Sequence, residues 1–293
     1  MPKNLLFHFD TDPMPSVFDT VVAYDGGADH VKGYGGVTPG NVTPLVEGTI
    51  FTRPPKDKKH TAIFVSGSNM VAGEELFKAI PKNFFGDFRV SMMLDSNGSN
   101  TTAAAMVALL EDASNNLKAK RAVVLAGTGP VGQRAGVMLA KEGANVVLTS
   151  RSLERAQQAC DDMNESFGVE MTAAVASDEE STAKALEGAQ IVLACGAAGI
   201  ELLSEDAWRL NPTIQMMSDA NATPPLGFGG INMMDKGKLY HGKLVWGAIG
   251  VGTLKLALHK RCIEKLFEAH DQVFDAMEIY AICKEIIAEK GGW

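Results

Sequence analysis

The sequence predicts an α/β fold with two domains, each built on a parallel sheet. Apolar segments of strand length alternate with segments of helical composition along most of the 293 residues, which is the pattern of parallel strands joined by crossover helices. One segment, Ala122–Leu125, is apolar throughout, as expected for a strand buried on both faces. The chain is also longer than a typical single domain.

We place the domains at residues 1–117, 118–250 and 251–293. The polar stretch Asn115–Lys120 marks the first boundary. The middle segment repeats strand and helix patterns in the manner of a doubly wound sheet. The last segment carries two apolar stripes at helical spacing, and we expect these helices to return to the first domain. The glycines between Gly247 and Gly252 predict an exposed hinge before them.

Composition and charge exclude several classes of partner. The net charge of −8 argues against nucleic acid, because phosphate contacts need clustered basic residues. No apolar run reaches the ~18 residues of a membrane span, and the N-terminus becomes acidic too early for a signal peptide. The four cysteines lack the spacing of a zinc site or a disulfide framework, which predicts buried thiols and a cytoplasmic location.

A glycine-rich turn follows the strand that ends at Leu125. It has the spacing G-x-G-x-x-G and leads directly into a helical pattern, with a second strand, Asn145–Ser150, behind it. In a Rossmann-type domain the first glycine allows a tight turn, the second lets a pyrophosphate approach the backbone, and the third lets helix and strand pack closely. The predicted dinucleotide-binding residues are Gly127, Thr128, Gly129, Pro130, Val131 and Gly132.

The residues that follow this second strand favour NADP over NAD. An NAD-binding domain usually has an acidic residue here for the ribose 2′-hydroxyl, whereas this chain has arginines and serines, which suit a 2′-phosphate. The alternative is a solvated helix start. The residues assigned to the phosphate are Ser150, Arg151, Ser152 and Arg155.

Loops after later strands of the same domain predict the nicotinamide side of the cofactor site. Small residues there would allow close approach of the ring. The thiol of Cys195 is interpreted as a packing group rather than a nucleophile, since no histidine lies near it in the sequence. Asn221 either faces the ligand or forms a turn, and both alternatives stay open. The assigned residues are Cys195, Gly196, Ala198 and Asn221.

In the first domain the strongest signal is the polar loop after the predicted strand Phe88–Leu94. Ligands of open α/β sheets bind beyond the carboxyl ends of strands, and the carboxylate, amide and hydroxyl groups of this loop suit a ring with amide and amine edges. A helix cap at Ser99 or Asn100 is the alternative, although a cap explains only part of the run. The predicted ligand residues are Asp95, Asn97, Ser99, Asn100 and Thr102.

The rest of the first domain has weaker signals. On an extended chain, His8, Asp10 and Asp12 would lie on one side. Two aspartates and a histidine at 25, 29 and 30 do not match the spacing of a metal site, so we predict turns and no metal. The other predicted elements are strands at Leu5–Phe9 and Thr61–Val65, a helix that begins at Pro15 and a glycine-rich connection from Asp25 to Gly40.

Several runs of this chain occur together in a known enzyme family. They are Phe9–Asp12, Tyr24–His30, Leu94–Thr102, Val124–Gly132, Pro224–Gly227 and Leu254–Leu256. The run Leu94–Thr102 is the specific one, because many dehydrogenases share the glycine pattern. On these runs the chain resembles the bacterial NADP-dependent methylene-tetrahydromethanopterin dehydrogenases of one-carbon metabolism. Ser152 departs from the family's pattern, in which a basic residue occupies this position.

The resemblance implies a pterin domain, an NADP domain and hydride transfer from methylene-tetrahydromethanopterin to NADP. Nitrogen lone pairs stabilise the resulting methenyl cation, so no proton transfer is needed and catalysis rests on positioning. A carboxylate such as Asp95 or Asp19 near the cation would stabilise it. Lys255 is expected to be a binding or closure contact, the alternative being a side chain that extends into solvent.

Three other functions remain open from the sequence. Methylene-tetrahydrofolate, which members of this family can also accept, could be the main substrate. A shikimate-type dehydrogenase has the same two-domain layout, but it needs a Lys–Asp pair and the predicted substrate loop contains no lysine. The third is an NADP-sensing module without turnover. The apolar C-terminal helices also predict a homo-oligomer.

Overall fold

The computed structural model describes residues 2–291. They pack as two compact units. The first unit comprises the chain up to Thr101 together with Leu256–Ile282, and the second comprises Thr102–Lys255 together with the chain from Cys283 onward.

Strands and helices alternate along most of the chain, which confirms the predicted α/β class. The strands are β1 (Leu5–Asp10), β2 (His30–Tyr34), β3 (Thr61–Ser66), β4 (Ser91–Leu94), β5 (Arg121–Leu125), β6 (Asn145–Ser150), β7 (Met171–Val175), β8 (Ile191–Ala194), β9 (Met216–Asp219), β10 (Lys238–Tyr240), β11 (Lys243–Trp246) and β12 (Val273–Phe274). The helices are α1 (Val17–Asp25), α2 (Thr43–Phe51), α3 (Met70–Ala79), α4 (Ser99–Ser114), α5 (Pro130–Lys141), α6 (Leu153–Phe167), α7 (Glu179–Ala185), α8 (Glu205–Arg209), α9 (Ala248–Leu266) and α10 (Ala276–Lys290).

The first unit is built on a five-stranded sheet in the order β12-β4-β3-β1-β2. All its neighbouring strands are parallel, so their carboxyl ends share one edge. The strand β3 is buried along its whole length. Its side chains and those of β1 and β4 pack against α2, α3 and the turn after α3. Members of this core include Phe9, Val46, Ile50, Ile63, Leu76, Ile80 and Met92.

One segment of this unit differs from its prediction. The glycine-rich connection expected from Asp25 to Gly40 contains the strand β2, in which His30 is aligned with Leu5 of β1. The strand lies at the edge of the sheet and most of its side chains are exposed or half-buried. It therefore lacks the apolar run that reveals a buried strand, and its structure depends on backbone pairing with β1.

The C-terminal part of the first unit is joined to the sheet through β4. The strand β12 pairs with β4, with Val273 aligned to Met92. The buried Ser91 side chain adds two bonds, since its Oγ donates to the carbonyl of Ala269 at 3.0 Å and accepts from the amide of Gln272 at 3.1 Å. These bonds explain why Leu256–Ile282 packs with the first unit.

The second unit is built on a seven-stranded sheet in the order β10-β11-β9-β8-β5-β6-β7. Its strands are parallel except for β10, which runs antiparallel to β11. The chain starts in the middle at β5, runs outward through β6 and β7, and then returns to β8 on the other side of β5. This reversal is the topological switch point at which α/β sheets bind ligands. The expected boundaries of the pterin domain, the NADP domain and the C-terminal segment, after residues 117 and 250, stay predictions.

The glycines at the start of α9 do not form the exposed turn that the sequence predicted. Gly247 and Gly250 are buried. Their amides donate to the carbonyls of Asp235 and Met233 at 3.0 and 3.1 Å, respectively. A Cβ atom on Gly250 would collide with the carbonyl of Asp235. These glycines therefore allow two backbone segments of the second unit to pack closely.

Three of the four cysteines are buried, whereas Cys195 is half-buried, and all four are free thiols. Within residues 2–291, no helix combines the length and the apolar character that crossing a membrane requires. The same residues contain no group of three or more His, Cys, Asp or Glu side chains placed to hold a metal ion.

Candidate functional site

The predicted dinucleotide turn joins β5 to α5 at the switch point. Its path is set by the amide of Gly127, which donates to the carbonyl of Thr149 at 2.9 Å. Gly129 is the N-cap of α5 and Pro130 is its first residue. The first intrahelical bond is donated by Gln133, to the Gly129 carbonyl at 3.0 Å. The amides of Val131 and Gly132 precede the helical ladder and are available to an anion, whereas Pro130 has no N–H to offer.

The three glycines of this turn have different surroundings. A Cβ atom on Gly132 would lie 2.6 Å from the Cα of Gly127, and one on Gly127 would lie 2.9 Å from the carbonyl oxygen of Val124. A Cβ atom on Gly129 would meet only the carbonyl of Cys195, at 3.9 Å. The outer two glycines therefore permit close packing, and the middle one leaves open space above the helix N-terminus. This arrangement fits a pyrophosphate.

The residues at the end of β6 were predicted either to bind a 2′-phosphate or to form a solvated helix start. The side chain of Ser152 is the N-cap of α6 and accepts from the amide of Arg155 at 3.4 Å. The side chains of Arg151 and Arg155 are exposed, and Ser150 is buried. A helix cap therefore accounts for Ser152. The exposed arginines lie beside a helix N-terminus, where positive charge is unfavourable, and Glu154 is an acidic residue of the same turn.

The loops after β8 and β9 are held together by two buried side chains. The carboxylate of Asp219 accepts from the amides of Asn221 at 2.8 Å and Phe228 at 3.2 Å. Burial raises the pKa of Asp219, and these hydrogen bonds oppose the shift. Asn221 accepts from the amide of Gly199 at 3.4 Å and donates to the carbonyl of Pro225 at 2.9 Å. Asn221 thus connects these loops, and its assignment to the cofactor stays a prediction.

The small residues after β8 lie beside this arrangement. Burial, with the nearby Asp219 carboxyl, raises the pKa of the Cys195 thiol, so the thiol stays protonated at neutral pH. A protonated thiol is a weak nucleophile, which agrees with the packing interpretation. A Cβ atom on Gly196 would approach Leu202 to 3.0 Å, and Ala198 is exposed.

In the first unit, the predicted substrate loop follows β4 and enters α4. The carboxylate of Asp95 accepts from Thr101 twice, from the amide at 3.1 Å and from the hydroxyl at 2.6 Å. The amide of Asn100 donates to the carbonyl of Leu94 at 2.8 Å and to Asp275 at 3.1 Å, whereas its Oδ1 is buried without a hydrogen-bond partner among the described residues. Both side chains hold the loop in place.

The other members of this loop are divided between interior and surface. The hydroxyl of Ser99 is buried and donates to the carbonyl of Ser96 at 2.7 Å. Asn97 is exposed, with a left-handed φ of 53°. The backbone amide of Asn97 donates to the carbonyl of Gly67 at 2.8 Å, which brings the loop beside the end of β3. Thr102 is half-buried and belongs to the second unit.

The two remaining predicted residues lie on α1 and α9. The helix α1 begins at Val17 rather than at Pro15, because Ser16 is its N-cap and accepts from the amide of Asp19 at 3.2 Å. Asp19 is half-buried in the first turn of α1, in the first unit. Lys255 is half-buried on α9, in the second unit.

A buried cluster at the ends of β1 and β3 contains one member, Ser66, that the sequence did not predict. His8 and Asp10 point to the same side of β1, as predicted, and Ser66 lies between them. The pairing of the strands aligns Ser66 with Asp10. A single serine at the end of an apolar strand is not a distinctive signal, so only the register of the sheet reveals it.

Comparisons with known proteins show which family this chain resembles. The family model described as methylene-tetrahydromethanopterin dehydrogenase, N-terminal, matches residues 17–97. A protein of Methylorubrum extorquens named NAD(P)-dependent methylenetetrahydromethanopterin dehydrogenase is 34% identical over 98% of this chain and 99% of its own. A second protein of that bacterium, named bifunctional protein MdtA, is 58% identical over 98% of this chain and 100% of its own.

The chain belongs to the methylene-tetrahydromethanopterin dehydrogenase family.

Membership of this dehydrogenase family confirms the resemblance inferred from the sequence runs. The region matched by the family model begins at the first residue of α1 and ends at Asn97, in the loop after β4. It therefore includes Asp19 and the first two predicted loop residues, and it excludes the glycine turn, which is shared by many dehydrogenases.

Solved structures show that other dehydrogenases share the fold of this family member. Shikimate 5-dehydrogenase of Listeria monocytogenes matches with a TM-score of 0.53 and 13% identity, over 97% of this chain and 96% of its own. Quinate dehydrogenase of Corynebacterium glutamicum matches with a TM-score of 0.52 and 13% identity, over 96% and 98%. At this identity the likeness concerns the fold alone.

Replacing Gly132 by alanine should destabilise the second unit, because the new methyl group would force α5 away from the turn. We expect a loss of about 1–3 kcal/mol in the free energy of unfolding, measured by urea denaturation. Gly129→Ala is the matched control, since its Cβ atom enters open space, and we expect a change within about 0.5 kcal/mol. Equal losses in the two variants would contradict the assigned difference between the glycines.

The stability of the protein should fall in acid partly through His8. Burial lowers the pKa of His8 below 6.5, and the Asp10 carboxylate opposes the shift. The unfolded chain therefore binds this proton more readily, so the free energy of unfolding decreases as the pH falls through 6.5, by at most about 1.4 kcal/mol per pH unit. His8→Gln should remove this part of the slope, measured by urea denaturation between about pH 5 and pH 8. Identical slopes in both proteins would contradict it.

Proposed function

We propose that this protein transfers a hydride from methylene-tetrahydromethanopterin to NADP, giving methenyl-tetrahydromethanopterin in one-carbon metabolism. The observation that carries the proposal is the open N-terminus of α5 in a chain of this family, because it offers free backbone amides and space above Gly129 for a dinucleotide. The polar loop after β4 supplies a second, independent binding surface in the first unit.

The cofactor proposal rests on residues at the ends of four neighbouring strands. The turn after β5 would bind the pyrophosphate, and the loops after β8 and β9 would bind the nicotinamide side. The exposed guanidinium groups of Arg151 and Arg155 support a 2′-phosphate at the start of α6. The proposed residues are Gly127, Thr128, Gly129, Pro130, Val131, Gly132, Ser150, Arg151, Ser152, Arg155, Cys195, Gly196, Ala198 and Asn221.

The substrate proposal distinguishes residues that bind from residues that hold the loop. Asn97 is exposed, and Asp19, Thr102 and Lys255 are half-buried, so these side chains are accessible to a ligand. Asp95, Ser99 and Asn100 are buried and bonded within the first unit. We assign binding to the first group, whereas the second group keeps the loop in a defined shape.

NADP supplies the hydride acceptor when bound. The chain's own residues then have to orient the substrate and exclude water, since loss of a hydride from a carbon between two nitrogens requires no proton transfer. The accessible carboxylate of Asp19 would stabilise the positive charge that develops on the substrate ring, whereas the buried carboxylate of Asp95 keeps the loop in shape. A cation beside the ring would oppose that charge. Lys255 is therefore assigned to binding and not to stabilisation of the cation.

The proposed function is tested by following NADPH formation through its near-ultraviolet absorbance. We expect turnover with methylene-tetrahydromethanopterin and NADP. Faster turnover with methylene-tetrahydrofolate would make that pterin the main substrate, an alternative compatible with the word bifunctional in the name of the relative that is 58% identical. Binding of NADP without turnover of either pterin would favour a sensor and would contradict the enzyme proposal.

Removing the two guanidinium groups should weaken the use of NADP and spare that of NAD. For Arg151→Ala combined with Arg155→Ala we expect kcat/KM for NADP to fall by about tenfold or more, because each charge-assisted bond contributes about 1.5–3 kcal/mol. The ratio of NADP to NAD activity measures the effect. Arg209→Ala, an exposed arginine of the same unit that pairs with Asp206, is the control. Equal losses with both cofactors would contradict the assignment.

Cytoplasmic location and self-association also belong to this proposal. The free thiols support a reducing compartment, and the net charge of −8 supports partners other than nucleic acid. Size-exclusion chromatography with light scattering would establish the oligomeric state.

A further inference from the structure

Three buried polar side chains connect the carboxyl ends of β1 and β3. His8 Nε2 lies 2.6 Å from the hydroxyl of Ser66, and this hydroxyl donates to the carboxylate of Asp10 at 3.0 Å. None of the three residues is more than 1% exposed. Buried polar groups are costly unless their hydrogen bonds are made, and a satisfied network holds its members rigidly. The cluster therefore fixes the ends of two adjacent strands relative to each other.

The direction of the hydrogen bonds follows from the chemistry of the groups. An ionised carboxylate can only accept, so Ser66 uses its single proton toward Asp10. The Ser66 oxygen must then accept from His8, which places the proton of a neutral imidazole on Nε2. His8 Nδ1 is buried without a hydrogen-bond partner among residues 2–291. The ring is also stacked on Phe64, with the ring centres 5.1 Å apart, so its orientation is fixed.

Asp10 also holds the turn between β1 and α1 in place. Its carboxylate accepts from the amide of Asp12 at 2.8 Å and from the amide of Ser16 at 3.0 Å. Ser16 in turn caps α1 by accepting from the amide of Asp19. The backbone position of Asp19 therefore depends on a series of hydrogen bonds that starts at His8.

The same turn is tied to the ends of the neighbouring strands. The half-buried carboxylate of Asp12 accepts from the amide and from the hydroxyl of Ser68, each at 2.8 Å. The amide of Asn97 donates to the Gly67 carbonyl at 2.8 Å. The partly accessible carboxylates of Asp12 and Asp19 thus follow β1, and the exposed side chain of Asn97 lies on the loop after β4. These groups complement the amine and amide edges of a reduced pterin.

We propose that Ser66 and His8 are positioning residues for the pterin substrate. They hold Asp10, and through Asp10 they hold the turn that presents Asp12 and Asp19. The inference rests on the proposed function, because the ligand concerned is the substrate named there. It adds Asp12 to the residues that would contact the pterin.

The test compares variants that break the network with a variant that keeps it. Ser66→Ala and His8→Leu should raise the KM for methylene-tetrahydromethanopterin by about tenfold or more, since a displacement of about 1 Å can cost up to about a hundredfold. The KM for NADP should stay within about twofold, because the network lies outside the dinucleotide turn. His8→Gln keeps an N–H donor at the position of Nε2 and should restore a substrate KM close to that of the natural protein.

Thr61→Val is the matched control for the loss of a hydroxyl. Thr61 is buried at the opposite end of β3, its hydroxyl has no hydrogen-bond partner among the described residues, and valine has the same shape. We expect both Michaelis constants of this variant to equal those of the natural protein.

Amide hydrogen exchange, read residue by residue by nuclear magnetic resonance, gives a readout independent of turnover. The amides of Asp12 and Ser16 should exchange faster in Ser66→Ala and His8→Leu, and at the natural rate in Thr61→Val. Unchanged exchange would overturn the proposal, as would faster exchange with an unchanged substrate KM, because the network would then be only a structural support. A natural protein that turned over no pterin would overturn the proposed function instead, and the exchange rates would still show whether Ser66 holds the turn.

Discussion

Parallel pairing of strands is the constraint on which both units depend. In a parallel sheet the carboxyl ends of all strands lie at one edge, so the loops that leave them are brought together whatever their distance in the sequence. In the first unit this places the turn after Asp10, the residues after Ser66 and the loop after Leu94 side by side. In the second it assembles the glycine turn with the loops after β6, β8 and β9.

In both units, buried aspartates at the ends of strands order these loops. An aspartate at or just beyond the end of a strand accepts hydrogen bonds from backbone amides of the loop that follows: Asp10 from Asp12 and Ser16, Asp95 from Thr101, and Asp219 from Asn221 and Phe228. Each buried carboxylate thereby satisfies amides that no strand partner reaches. Loops fixed in this way present their exposed side chains in one arrangement before a ligand binds, which reduces the entropy that binding would otherwise cost.

Hydride transfer from a methylene bridge asks for few catalytic groups. The reaction needs no acid or base, so the demands on the protein are orientation, exclusion of water and stabilisation of one positive charge. The protonated thiol of Cys195 and the internally bonded carboxylate of Asp95 agree with that requirement, since neither is arranged as a nucleophile or a base. Shikimate and quinate dehydrogenases share the fold, and a shared fold does not by itself imply a shared function.

The sequence by itself determined the α/β class, the buried strand β5, the glycine turn before α5 and the polar loop after β4, because glycine spacing and apolar runs act over a few neighbouring residues. It did not reveal β2, whose polar residues form a strand only by pairing with β1, or the packing role of Gly247 and Gly250, which depends on a distant backbone segment. It also could not tell that Asp95 and Asn100 are bonded internally while Asn97 is exposed, or that Ser66 joins His8 to Asp10. Only the tertiary structure decides such questions, because the partners that occupy a side chain's donors and acceptors come from segments far apart in the sequence.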